Sequence, residues 1–128
     1  MSEFDVVETC TGTYDTANSN YIVSPNYPSN YDDASDCKWN IKTLNSRTIA
    51  LHFTYFLTEQ VDRLMVYNGS NVDRKHLTTI SGGSYPPVIF PTGKITFLRF
   101  KTSVANNNKG FRILLKTYGK YTGQSVSE

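Results

Sequence analysis

The chain has 128 residues, with 13 Lys or Arg against 11 Asp or Glu and a formal charge of +2. That length supports one domain around a single core, and so small a charge does not mark a nucleic-acid or membrane-surface binder. No apolar run approaches the roughly 18 residues of a membrane span, so a soluble domain is expected. Nine Tyr, seven Phe and one Trp, set among many Thr, Ser and Asn, favour strands and turns over helices.

In chain order, Met1–Phe4 carries neither a basic n-region nor an apolar h-region. Either the protein is cytosolic or an expression start stands where a natural leader was; features further along favour the second, and residues 1–9 read as an extension. The first strand is expected at Tyr21–Val23. The stretch Ser24–Tyr31, SPNYPSNY, cannot be helical, because Pro25 and Pro28 remove donors and push Ser24 and Tyr27 toward extended conformations. It is expected to run as a PPII-like arm, with the Tyr27 and Tyr31 rings on the core and their hydroxyls toward water.

Further strands are expected over Lys38–Lys42, Arg47–Tyr55, Arg63–Tyr67, His76–Ile80, Val88–Phe90, Ile95–Lys101 and Phe111–Tyr118. In TIALHFT, Ile49, Leu51 and Phe53 alternate with Ala50, His52 and Thr54, the period of two of a strand with one buried face. The run ITFLRF is apolar at both parities, so it is buried on both faces or contains a bulge. Turn residues at Asn68-Gly69, Gly82-Gly83, Pro86-Pro87, Thr92-Gly93 and Asn106–Gly110 separate these runs. The pattern predicts an all-β, two-sheet antiparallel β-sandwich. Residues 119–128 read as a tail or linker.

Cys10 and Cys37 enclose 26 residues. In a reducing compartment they are small core residues; in an oxidising one they form a bridge that contributes about 3–4 kcal/mol by loop entropy. Their number leaves both readings open. A bridge at these positions pins the N-terminal segment to the Trp39 strand.

Cys10, then S-P-N-Y-P-x-x-Y at Ser24–Tyr31, then C-x-W-x-I at Cys37–Ile41, resembles the N-terminal half of a CUB domain. The resemblance continues through L-H-F-T-Y-F at 51–56, V-Y-N-G at 66–69, P-P-V-I at 86–89 and the run from Phe100 to Phe111. It covers residues 10–118, which become the expected domain. It implies a jelly-roll-like sandwich, an extracellular setting (secreted, or the ectodomain of a membrane protein) and a Cys10–Cys37 disulfide. Many CUB domains carry a second disulfide; here its first position falls in the loop Leu57–Val61, which has no Cys, and its second is Ser81. A one-disulfide variant follows, stabilised more by core packing.

A calcium-binding subset of the family uses three carboxylates. The resemblance places Glu59 at the first and Asp62 at the second, but Ser103 stands at the third, with Lys101 nearby. Calcium affinity follows carboxylate number, so the expectation is no cofactor, with calcium at Glu59 and Asp62 as the alternative. In those relatives the ion positions acidic side chains to take a Lys from a partner.

Asn68-Gly69-Ser70 is an N-x-S sequon, suggesting a glycoprotein, and equally a favoured two-residue hairpin turn. Asp32, Asp33 and Asp36 are expected to make turn hydrogen bonds rather than a cation site. Arg74, Lys75, His76, Lys101, Lys109, Arg112 and Lys116 form a basic face only if they cluster in space. His52 and His76 belong to no metal-spaced pair or nucleophile signature, so no catalysis is expected. The sequence thus reads as a monomeric, non-enzymatic recognition module from a larger extracellular protein, with a protein ligand or neighbouring domains as partners. Carbohydrate recognition, or a structural spacer beside a protease domain, are the alternatives; nucleic acid and membrane insertion are not expected.

Overall fold

The computed structural model describes residues 5–7, 10–16, 20–43, 47–69, 75–83, 86–104 and 107–119. Nine strands form two sheets: β1 (Asp5–Val7), β2 (Thr11–Thr16), β3 (Asn20–Val23), β4 (Asp36–Thr43), β5 (Thr48–Leu57), β6 (Arg63–Asn68), β7 (Lys75–Ile80), β8 (Ile95–Lys101) and β9 (Gly110–Tyr118). One sheet has the order β1-β3-β9-β5 and the other β2-β4-β8-β6-β7. This is the expected two-sheet β-sandwich, with no helix among the described residues.

Alternation builds the core. In β4, Cys37, Trp39 and Ile41 are fully buried while Lys38 and Lys42 face out; in β9, Phe111, Ile113 and Leu115 turn inward. Phe111 sits at the centre, edge-on to Phe100 at 4.8 Å and to Trp39 at 6.1 Å. A buried aromatic of this kind contributes about 1.5–3 kcal/mol through area alone. In β5 the register shifts between Phe53 and Tyr55, which moves the inward parity from Ile49, Leu51 and Phe53 to Phe56. The extra residue, Thr54, donates its hydroxyl to the Arg112 carbonyl at 3.0 Å. The run in β8 keeps a continuous register on both sides and is buried on both faces, since Phe97 is 3 % exposed on the outer face beneath the Tyr67 ring.

Four details depart from the sequence expectation. β1 and β2 were not anticipated, and both pair in parallel, β1 with β3 and β2 with β4. Parallel neighbours need a crossover, and for β2 and β4 it is β3, which lies in the opposite sheet. The Cys10–Cys37 disulfide stands at the start of that parallel pair, where Lys38 N–H also bonds the Cys10 carbonyl at 3.1 Å. Val88–Phe90 is no strand: only Ile89 pairs, exchanging two backbone hydrogen bonds with Leu51. Pro86, Pro87 and Pro91 flank it and have no N–H to extend a ladder.

Ser24–Tyr31 is not an extended arm. Tyr27 N–H bonds the Ser24 carbonyl and Ser29 N–H the Asn26 carbonyl, giving consecutive turns with Asn26 at φ 64° and a cis Tyr27–Pro28 bond. Finally, β6 runs through Asn68 and β7 begins at Lys75, so Asn68-Gly69 is not a two-residue hairpin. Where many CUB domains place the second disulfide, between the loops after β5 and after β7, Thr58 and Gly82 instead exchange two hydrogen bonds of 2.9 Å.

Candidate functional site

Three connections meet at one end of the sandwich: the turn segment between β3 and β4, the loop 58–62 between β5 and β6, and the loop between β8 and β9. Tyr31 lies edge-on to Phe100 at 5.0 Å and is 1 % exposed. Its hydroxyl does not reach water. It donates to Asp62 Oδ2 at 2.6 Å and accepts from Glu59 N–H at 3.1 Å. The other Asp62 oxygen accepts from Ser103 N–H at 2.6 Å, and the Asn108 amide donates to the Glu59 carboxylate. Asp62 is fully buried, yet each carboxylate oxygen has a donor, the condition under which a buried charge is tolerated. Burial first, and then the Asp62 carboxylate, raise the Tyr31 phenol well above its usual range, partly offset by Glu59 N–H.

The sequence-picked residues Glu59, Asp62 and Ser103 are thus brought together, but by hydrogen bonds. Calcium takes about six to eight oxygen ligands. Each Asp62 oxygen already accepts a hydrogen bond, from Tyr31 and from Ser103, and Glu59 accepts one from Asn108. The three positions therefore offer two carboxylates, both hydrogen-bonded, where calcium affinity follows carboxylate number. Among the described residues, no three His, Cys, Asp or Glu gather as a metal group.

The other candidates fall elsewhere. Asn68 donates to Thr92 Oγ1 at 2.8 Å and accepts from Gly93 N–H at 3.2 Å, so both ends of its amide are occupied. Asp32 accepts from Asn26 and Asp33 from Asn107, and Asp36 forms a two-pronged pair with Arg99 at 2.8 and 2.7 Å. Arg99 holds the Asp36 carboxyl below its ordinary value, against the opposing effect of burial. His76 Nε2 meets Thr79 Oγ1 at 2.7 Å.

The expected basic face divides between the sheets. Arg112 stacks over the Tyr21 ring at 3.8 Å and Lys116 lies 5.6 Å from the Tyr118 ring, both on the outside of the four-stranded sheet. Lys101 stands on the outside of the five-stranded sheet, and Arg74 lies outside the described residues. Lys101 has companions that sequence spacing did not reveal, namely Arg63, Arg99 and Lys38. They line two adjoining grooves of about 450 and 360 Å³ that share Arg99. Only the strand register could have shown this cluster.

A disulfide-pinned, two-sheet all-β sandwich with converging loops at one end defines a class of extracellular module. A model of the CUB domain family matches residues 10–115, and the chain belongs to that family. Human Cubilin is 32 % identical over 108 residues, 80 % of this chain and 3 % of that protein. Mouse Tolloid-like protein 2 is 30 % identical over 101 residues, 75 % of this chain and 10 % of that protein. The chain spans only 3–12 % of the length of the curated relatives it matches. Among solved structures, the full extracellular region of zebrafish Gpr126/Adgrg6 superposes with a TM-score of 0.73 at 22 % identity, covering 85 % of this chain and 15 % of that one. The MASP-1 CUB2 domain bound to Ca2+ gives 0.71 at 22 % identity, covering 83 % and 98 %. These structures establish the fold, and by its sequence relatives the setting of the domain is extracellular, where its disulfide persists.

Proposed function

We propose that the chain is a non-enzymatic module that recognises a protein partner, carried within a larger extracellular protein. Its domain spans residues 10–118, with 119–128 as a tail. The observation that carries this reading is the loop end itself. Asp62 and Ser103 are joined inside, while their neighbours Val61 and Val104 stand 62 % and 76 % exposed outside. Two apolar side chains on loops fixed from within form a pre-organised contact edge, with little ordering cost on binding. Cubilin and Tolloid-like protein 2, both far longer than this chain, support the larger setting.

On this reading recognition runs without calcium, because Asp62 and Glu59 are already held by donors. The test is capture from extracellular fluid by the immobilised domain in chelator, beside a glycan array. Wild type should retain a protein that the Val61→Asp/Val104→Asp variant loses. Binding to glycans alone would make the module a carbohydrate reader, and failure in both assays would leave a spacer.

A further inference from the structure

Resting on that protein-recognition reading, we propose that the outer face of the five-stranded sheet docks an acidic, partly apolar segment of the partner. Arg63 on β6 and Lys101 on β8 stand directly opposite in register, both exposed. Like charges so placed are mutually unfavourable. Among the described residues neither forms an ion pair. Asp36 lies across the register from Lys101, but its carboxylate is held by two nitrogens of Arg99, with Lys38 at 4.0 Å. Asp62 turns inward to Tyr31 and Ser103. Along these grooves four cations therefore stand against the one committed Asp36 carboxylate, while Asp15 and Lys42 face each other further along β2 and β4, and an anion from outside relieves the excess at the grooves.

The shape favours a peptide. The two grooves cross β6, β8, β4 and β2, three inter-strand steps of about 4.8 Å, which makes about 14 Å or some four extended residues. The same groove that holds Arg63 and Lys101 is walled by Val61 and Met65. A sulfated sugar chain has no projecting apolar side chain to set between them, whereas a Leu between two Glu residues places its side chain there and its neighbours' carboxylates on the cations.

The probe is an octapeptide alternating Glu and Leu, titrated into the isotope-labelled domain and followed by NMR. It should shift Arg63, Lys101 and the Met65 methyl, weaken with salt, and bind about tenfold more weakly when Gln replaces Glu or in Lys101→Glu. Arg63→Gln alone should raise the melting temperature by about 1–2 °C without peptide, because it removes one of two facing cations and, unlike Lys101, Arg63 is not among the cations that hold the Asp36 carboxylate. No shifts on this face, equal binding of the Gln peptide, or a lower melting temperature for Arg63→Gln would overturn the proposal. A heparin hexasaccharide that shifts these residues where the peptide does not would likewise overturn it. In the capture assay, equal retention of a protein by wild type and Lys101→Glu removes the groove and leaves the module reading intact. Absence of any captured protein removes both.

Discussion

Replacing Asp62 by Ala takes the acceptor from two donors at once, the Tyr31 hydroxyl and the Ser103 N–H, each now 2.6 Å from a carboxylate oxygen. An orphaned buried donor costs about 1–3 kcal/mol, so Asp62→Ala should lose about 2–5 kcal/mol. Asp62→Asn keeps one oxygen for Ser103 and can donate its amide to the Tyr31 oxygen once that hydroxyl turns, so its cost should be nearer 1 kcal/mol. The assay is urea unfolding with an unchanged slope, which assigns a shifted midpoint to stability. Run in excess calcium and in chelator, the wild-type midpoints should coincide. An ion present at a hundredfold its dissociation constant would add about 2.7 kcal/mol. Two results refute the reasoning: Asp62→Ala within about 0.5 kcal/mol of wild type, the range of an ordinary surface change, or a calcium-induced rise that Asp62→Ala abolishes. The second would show Asp62 offering its oxygens to a metal.

Tyr31→Phe tests the same network through pH. The phenol's folded value is raised above its unfolded value near 10, so its contribution is present below about pH 10 and is lost as pH rises beyond it; the variant should lose that alkaline dependence in pH-stepped unfolding. Reducing Cys10–Cys37, 27 positions apart, should lower stability by about 3–4 kcal/mol in denaturant titrations with and without reductant. Gly110 has φ +86° and a Cβ there would drive into Ser24, whose hydroxyl oxygen accepts Phe111 N–H at 2.9 Å. Gly110→Ala should therefore cost about 2–4 kcal/mol by thermal melt, from positive-φ strain plus overpacking.

Local chemistry made most of the fold legible. Alternation marked β5, whose one face turns to the core, and ITFLRF, apolar at both parities, left burial on both faces or a bulge open; Phe97 buried on the outer face decides for the first. The strand TGTYDT at Thr11–Thr16 was illegible for the opposite reason. It is an edge strand whose register comes from the disulfide before it and from β4 beside it, so it needs no apolar alternation. The arm at Ser24–Tyr31 misled because proline geometry limits single residues, whereas turn formation there depends on Asn26 accepting a positive φ. Glu59, Asp62 and Ser103 were found through family resemblance. Their wiring was not, since Tyr31–Asp62, Asp62–Ser103 and Glu59–Asn108 join residues 31, 41 and 49 positions apart. The Arg63–Lys101 opposition is a fact of register in the same way.

Asp62 and Val61 are adjacent in sequence and opposite in role. Asp62 is drawn fully inside by Tyr31 and Ser103, and that inward turn leaves Val61 outside on the wall of the groove. Ser103, held through its N–H by Asp62, lines the same groove beside Lys101 and Thr102. The buried network therefore fixes the position of the outer surface without touching anything that binds there. With no disulfide between the loops after β5 and after β7, this end of the sandwich has two other restraints: the paired Thr58–Gly82 hydrogen bonds and the Asp62 carboxylate. Rigid loops lower the ordering cost of association, so under the proposed function the Asp62 carboxylate, committed to internal donors, contributes by holding its neighbours still rather than by meeting the partner.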